Sequence, residues 1–219
     1  MAESPHWPGS RWQGPQRRIG LTGGIATGKS TVGQLLQERH GLPVLDADLF
    51  ARQALAPGTE AARAVLERYG TLDRPALGHI VFGNPAERHW LEQLVHPLVR
   101  QRFDQELTSL AEQPVEANQA AVVLMIPLLF EAGLEGLCSE VWLVDCDENQ
   151  QLARLMARNG LTQAEAQGRI NAQWPLERKR LLADRTISNR GNPEELAGVI
   201  TAAVAAALAA AAPQNGPSR

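Results

Sequence analysis

The 219-residue sequence predicts an α/β fold, in which short buried strands of a parallel sheet alternate with helices. Apolar runs with the length of buried parallel strands occur at 19–22, 43–46, 120–126, 141–145 and 186–189. A glycine-rich loop joins the first of these runs to a segment of helical periodicity, and helical patterns also follow the later runs. The chain is 44% hydrophobic and 21% charged, which is the composition of an ordinary globular protein.

The glycine-rich loop has the pattern G-x-x-x-x-G-K-[ST] between an apolar strand and a helix. In this context the backbone N–H groups and the positive helix end can surround a phosphate, whereas a simple turn before a helix is the alternative. Lys29 can then reach the β and γ phosphates of a nucleotide, and the Ser30 hydroxyl can ligate Mg²⁺. The predicted nucleotide-binding residues are Gly23, Gly24, Ile25, Ala26, Thr27, Gly28, Lys29, Ser30 and Thr31.

Asp46 and Asp48 come at the carboxyl end of the second strand, Pro43 to Asp46. Ligands bind at this edge of open α/β sheets, so we expect Asp48 to take part in the chemistry near the phosphate site. Asp is also a favoured residue at the start of a helix, and both roles can hold at once.

A central segment, 49–113, is helical by pattern and lacks an obvious strand, which suggests a domain that covers the substrate and excludes water. We expect His96-Pro97 to kink or restart a helix there. The predicted organisation is a nucleotide-binding core of 17–48, 114–149 and 184–212, a helical substrate domain of 49–113, a lid of 150–183, and disordered ends at 1–16 and 213–219.

Arginine is frequent in the predicted lid. Arg154 and Arg158 are four residues apart and so share one helix face, from which guanidinium groups could clamp transferring phosphates. A solvated surface is the alternative, and we expect it for residues 178–180.

Composition argues against several other classes. The net charge of −3 gives no reason to expect nucleic acid or a membrane surface, and no apolar run approaches the ~18 residues that span a bilayer. Cys138 and Cys146 suit buried thiols in a reducing compartment. We expect a cytoplasmic monomer that acts on a small molecule.

Several separated motifs together resemble the dephospho-coenzyme A kinase family. They are Leu21-Thr22-Gly23-Gly24-Ile25, Gly28-Lys29-Ser30-Thr31, Asp46-Ala47-Asp48, Ala51-Arg52, Ile80-Val81-Phe82, His96-Pro97-Leu98, Pro127-Leu128-Leu129-Phe130-Glu131, Ala183-Asp184 and Ile187-Ser188-Asn189-Arg190-Gly191. The resemblance spans roughly 18–211. It implies a P-loop nucleoside-kinase-like three-layer fold, with a five-stranded parallel sheet, a helical substrate domain and a helical lid.

The resemblance also implies a reaction. ATP, with Mg²⁺, would phosphorylate the ribose 3′-hydroxyl of dephospho-coenzyme A, the last step of coenzyme A synthesis. By position, Asp48 resembles the carboxylate that orients or deprotonates this hydroxyl. Arg154 or Arg158 resembles the lid arginine that stabilises the transferring group, and Asn189 resembles a residue that holds the adenine ring.

This sequence departs from the family pattern at three places. Ala26-Thr27 replaces a common Gly-Ser, Met125 stands where many members have Asp, and Gly78-His79 lies where an arginine is often found.

Three other functions remain open at this point. A kinase of the same fold could act on another acceptor, such as a nucleoside monophosphate. A GTP-dependent switch is the second, but it needs the guanine-recognition motif Asn-Lys-x-Asp. Neither Lys29 nor Lys179 is followed by Asp two residues on, which argues against a switch. A nucleotide-binding module without catalysis is the third, although the Asp-x-Asp sequence argues against it.

Overall fold

The computed structural model describes residues 10–112 and 121–211. Within them, five strands form one sheet, helices connect the strands, and a short 3₁₀ turn spans Glu135–Leu137. The elements in chain order are β1 (Arg17–Gly23), α1 (Lys29–His40), β2 (Val44–Asp46), α2 (Ala47–Ala54), α3 (Glu60–Tyr69), α4 (Arg74–Gly83), α5 (Pro85–Glu112), β3 (Ala121–Met125), β4 (Glu140–Asp145), α6 (Glu148–Asn159), α7 (Gln163–Asn171), α8 (Leu176–Leu182), β5 (Arg185–Ser188) and α9 (Pro193–Ala211).

The five strands form one sheet in the order β2-β3-β1-β4-β5, which confirms the predicted sheet. β1 pairs in parallel with β3, where Arg17 lies opposite Ala121, and with β4, where Ile19 lies opposite Glu140. β4 and β5 are also parallel. Because β1 has a neighbour on each side, the loop that follows it begins at the middle of the carboxyl edge of the sheet.

Side chains from both faces of β1 are buried. Ile19 belongs to a cluster with Leu36 of α1 and Ile200 of α9, all fully buried. On the opposite face, a Cβ at position 20 would lie 2.6 Å from Cys138 Sγ, so only glycine allows this close approach. The sheet is therefore covered by α1 and α9 on one face and by the segment that follows β3 on the other.

Sequence signals at helix ends are met by the structure. Thr162 and Glu165 form the predicted capping box of α7. Asn192 Oδ1 accepts the backbone N–H groups of Glu194 and Glu195 at 3.0 and 2.9 Å, which caps α9.

The chain divides into two compact units. The first contains residues up to Leu45 and from Pro114 onward, and the second is Asp46–Gln113. The second unit has its own core, in which Phe50 meets Phe103 edge to face with ring centroids 5.1 Å apart.

Within the second unit, α5 continues through Pro97, so of the two expected outcomes at His96-Pro97 the restart is wrong, and the kink stays a prediction. A proline inside a helix removes one backbone hydrogen bond. Val95 and Phe103 are buried on either side of Pro97, and their packing offsets that loss.

Residues 10–16, assigned above to a disordered end, make defined contacts. The Trp12 backbone N–H donates to the Cys138 carbonyl at 3.1 Å, and the Arg18 guanidinium lies 3.4 Å from the centroid of the Trp12 ring. The backbone hydrogen bond and the guanidinium over the half-buried Trp12 ring hold this segment. Residues 1–9 and the predicted disordered end at 213–219 lie outside the described residues. No helix among the described residues is long and apolar enough to cross a membrane.

Candidate active site

The phosphate loop occupies the turn between β1 and α1. A Cβ at position 23 would lie 2.7 Å from the Val144 carbonyl oxygen, and one at position 28 would collide with Asn189 Nδ2. Gly28 also has φ 98°, and Ala26 has φ 59°, both in the left-handed region. The two glycines therefore let Val144 and Asn189 pack directly against the loop backbone and let the loop adopt the tight turn in which backbone N–H groups can bind phosphate groups.

Lys29 lies against the loop at the start of α1. Its Nζ donates to the carbonyl oxygens of Gly23 and Gly24 at 3.2 and 2.9 Å. Thr27 is fully buried, and its hydroxyl donates to the Gly24 carbonyl at 3.0 Å, so the loop is held from inside. Ser30 is exposed in the first turn of α1, where its hydroxyl is accessible to a metal ion.

Asn189, which follows β5, contacts the loop directly. Its Nδ2 donates to the Thr27 carbonyl at 2.8 Å, and its backbone N–H donates to the Asp145 carbonyl at 2.7 Å. Arg154 Nη2 in turn donates to the Asn189 carbonyl at 3.1 Å. The structure thus brings two predicted site residues, Asn189 and Arg154, together with the loop.

The two lid arginines differ in their surroundings. Arg154 is half-buried, and its Nη1 is buried without a hydrogen-bond partner among the described residues. Arg158 is exposed and donates to Asn159 Oδ1 at 2.9 Å. A buried guanidinium nitrogen without an acceptor suits an anion as its partner, so the loop, Lys29 and Arg154 fit a bound phosphate chain.

Asp145, at the end of β4, is buried and joins two arginines. Arg180 donates to its Oδ1 at 2.9 and 3.1 Å, and Arg190 donates to its Oδ2 at 2.8 Å. The hydrogen bonds to Asp145 raise the pKa of the Arg180 guanidinium, which stays charged. The carboxylate fixes the turn that carries Asn189.

The expectation that residues 178–180 lie on the surface is wrong for Lys179. Lys179 is fully buried and its Nζ lies 2.6 Å from Glu131 Oε1, while Arg180 is held by Asp145. Arg178 is exposed and stacks on Trp174, 3.3 Å from the ring centroid. The partners of Lys179 and Arg180, Glu131 and Asp145, are distant in sequence, so the charge run alone gives no sign of these ion pairs.

Two glutamines that sequence reasoning missed bind the loop at Ile25. Gln151 of α6 donates through Nε2 to the Ile25 carbonyl at 2.8 Å, and Gln173 accepts the Ile25 N–H through Oε1 at 2.8 Å. The only sequence signal is the spacing of Gln151 from Leu155, since the two share one helix face and both are buried.

The predicted carboxylates lie in the second unit. Asp46 caps α2, with Oδ1 accepting the N–H of Asp48 at 2.8 Å and that of Leu49 at 3.4 Å. Asp48 is exposed in the first turn of α2. The helix-start role of Asp46 is confirmed, and the catalytic role of Asp48 stays a prediction.

A parallel sheet with a phosphate loop after its central strand, a loop lysine and an arginine-bearing helix beside them defines a P-loop kinase. The comparisons with known proteins make the class specific. The chain belongs to the dephospho-CoA kinase family, whose sequence model matches residues 17–195.

Relatives and solved structures agree with this assignment. The chain is 63% identical to a dephospho-CoA kinase of Synechococcus sp. (strain CC9605), over 81% of this chain and 87% of the relative. It is 57% identical to a dephospho-CoA kinase of Prochlorococcus marinus (strain MIT 9313), over 85% of this chain and 94% of the relative. The crystal structure of TT1252 from Thermus thermophilus matches with 39% identity and a TM-score of 0.74, covering 87% of this chain and 97% of that one. The structure of dephospho-CoA kinase from Campylobacter jejuni matches with 25% identity and a TM-score of 0.61, covering 86% of this chain and 95% of that one. The predicted family is confirmed.

Proposed function

We propose that this chain transfers the γ-phosphoryl group of ATP to the ribose 3′-hydroxyl of dephospho-coenzyme A, giving coenzyme A and ADP. The observation that carries the proposal is the phosphate loop with Lys29 in a chain that belongs to the dephospho-CoA kinase family. The loop provides the donor site, and the family provides the acceptor.

The roles of the loop follow from the chemistry. Phosphoryl transfer has a loose transition state, so catalysis depends on positioning and on stabilising charge at the equatorial oxygens. The backbone N–H groups from Ala26 to Thr31 would hold the phosphates, and the Lys29 ammonium would donate to phosphate oxygens in place of the carbonyls of Gly23 and Gly24. Mg²⁺, when bound, neutralises charge on the β and γ phosphates, and the Ser30 hydroxyl is the group that would ligate it.

Arg154 and Asn189 would complete the donor site. The buried Nη1 of Arg154 has no hydrogen-bond partner in the described part of the chain, so it can donate to an anion, and removal of water around it strengthens that interaction. Asn189 is hydrogen-bonded to the Thr27 carbonyl of the loop, and it would hold the adenine ring at a fixed position relative to the bound phosphates. Arg158 is the second candidate for a lid arginine.

Asp48 would orient the 3′-hydroxyl and accept its proton. Asp48→Asn should lower turnover about 100-fold or more, the usual scale for a general base, and leave ATP affinity unchanged. Asp46→Asn is the matched control, because asparagine also caps helices well, so α2 stays intact while the same charge is removed. Turnover near the wild-type value in Asp48→Asn would remove this residue from the mechanism.

The acceptor is tested by ADP release from ATP and Mg²⁺ with dephospho-coenzyme A, with AMP and with no acceptor, while mass spectrometry follows the acceptor. We expect turnover and one added phosphoryl group with dephospho-coenzyme A alone. Preference for AMP would overturn the substrate and retain the kinase. ATP binding without phosphorylation of either acceptor would contradict catalysis altogether.

A further inference from the structure

We propose that Gln151 is a positioning residue that fixes the direction in which the phosphate loop presents the N–H of Ala26. The inference rests on the proposed function only in that the loop binds a nucleotide. Gln151 lies in α6, outside the loop motif, and is 3% exposed. Its Nε2 donates to the Ile25 carbonyl at 2.8 Å, and a Cβ at position 24 would lie 2.6 Å from the same nitrogen.

The carbonyl of Ile25 and the N–H of Ala26 belong to one planar trans peptide, so they point to opposite sides. A hydrogen bond that holds the carbonyl therefore determines where the N–H points. Rotation of this peptide would change φ of Ala26, which at 59° lies in a region that an L-residue adopts only at a cost. Without Gln151 the peptide could relieve this strain by turning over, and a donor of the cradle would face the wrong way.

The preceding peptide provides an internal comparison. Its N–H, on Ile25, donates to Gln173 Oε1 at 2.8 Å, and its carbonyl, on Gly24, accepts the Thr27 hydroxyl and Lys29 Nζ. This peptide is held at both ends by several groups. The Ile25 carbonyl, in contrast, is held by Gln151 from α6.

The two glutamines have opposite polarity toward the loop. A carbonyl can only accept and a backbone N–H can only donate, so the partners fix which end of each amide faces Ile25. Glutamate has the same size as glutamine and, when ionised, can only accept. Gln173→Glu therefore keeps its hydrogen bond, whereas Gln151→Glu sets a carboxylate oxygen against the Ile25 carbonyl. Both variants add the same charge beside the same residue.

Protonation makes the distinction sharper. A carboxyl group buried at position 151 and facing a carbonyl oxygen favours its neutral form, which raises its pKa. The neutral acid has an O–H that can donate to the Ile25 carbonyl as the amide does. The defect of Gln151→Glu should shrink as the pH falls from 8 to 6. Gln151→Leu removes the donor without adding charge, and its defect should not respond to pH in this way.

The experiment compares the full-length wild type, Gln151→Glu, Gln151→Leu and Gln173→Glu. For each protein, calorimetry gives the affinity for ATP with Mg²⁺ at pH 8 and pH 6, thermal unfolding gives Tm without nucleotide, and steady-state kinetics give kcat and KM. We expect both Gln151 variants to lose about tenfold or more in ATP affinity at pH 8, the scale of one buried hydrogen bond lost. Gln173→Glu should lose clearly less, and Gln151→Glu should recover at pH 6.

Equal losses in Gln151→Glu and Gln173→Glu, or no recovery at pH 6, would overturn the proposal. A lower Tm with unchanged ATP affinity would also overturn it, because Gln151 would then only stabilise the fold. The wild type keeps the two inferences apart: if it binds ATP but phosphorylates a different acceptor, the proposed substrate fails while the affinity series still decides the role of Gln151.

Discussion

Replacing Lys179 with methionine should destabilise the protein, because the Glu131 carboxylate loses its cation in a buried site. Lys179 is fully buried, and its Nζ lies 2.6 Å from Glu131 Oε1. The same oxygen accepts a hydrogen bond from the backbone N–H of Trp174 at 3.1 Å. Glu131 Oε2 is buried without a hydrogen-bond partner among the described residues. Breaking such a pair costs about 3–5 kcal/mol, and we take the lower end because 16% of the Glu131 side chain is exposed.

For a chain of this length, about 3 kcal/mol corresponds to a fall in Tm of about 6–12 °C, measurable by circular dichroism. Arg178→Met is the matched control, since it removes an exposed stacking contact with Trp174 and should cost less than about 1 kcal/mol. Adding Glu131→Gln to the Lys179 variant should restore most of the loss, because no buried charge then remains. A loss below about 1 kcal/mol for Lys179→Met, or no recovery in the double variant, would refute the reasoning.

Three further predictions follow from the loop, the lid and the buried thiols. Ala26→Gly should raise the stability by about 1 kcal/mol, because glycine adopts φ 59° without strain, and an unchanged or lower Tm would contradict this. Arg154→Ala should lower ATP affinity about tenfold, because Arg154 is hydrogen-bonded to the Asn189 carbonyl beside the loop. Arg158→Ala should lower it less, and equal losses for the two variants, measured by calorimetry, would contradict the role of Arg154. Burial raises the pKa of Cys138 to about 12, so at pH 8 only about 10⁻⁴ of this thiol is ionised and iodoacetamide should react with it far more slowly in the native protein than in urea. Rapid alkylation of native protein, detected by mass spectrometry, would show that the thiol is not enclosed.

Local patterns predicted most of the elements that position the site. The strand, loop and helix around Lys29, the capping box at Thr162 and the cap at Asn192 each depend on residues within a few positions of one another. Such interactions are readable from spacing because the chain itself brings the partners together. The family resemblance implied a five-stranded parallel sheet, which the structure confirms, but the order of the strands comes from the structure alone.

Three of the failures share a physical cause, since each depends on a partner distant in sequence. Lys179 reads as part of an exposed charge run until Glu131, from the segment after β3, is placed against it. Gln151 carries no charge and belongs to no motif, so its bond to Ile25 has no local signature. Trp12 lies in a proline- and glycine-rich stretch whose composition suggests disorder, yet the Cys138 carbonyl and the Arg18 guanidinium hold it.

The central place of β1 in the sheet has a consequence for biosynthesis. β1 leaves the ribosome first, but Arg17 pairs opposite Ala121 and Ile19 opposite Glu140, so both neighbouring strands emerge only after all of 46–113 has been made. Pairing over such separations slows folding, and an apolar strand without neighbours can associate with other nascent chains. The 46–113 unit has its own core and can become compact during this interval. The segment that creates the phosphate site is thus translated early and completed late.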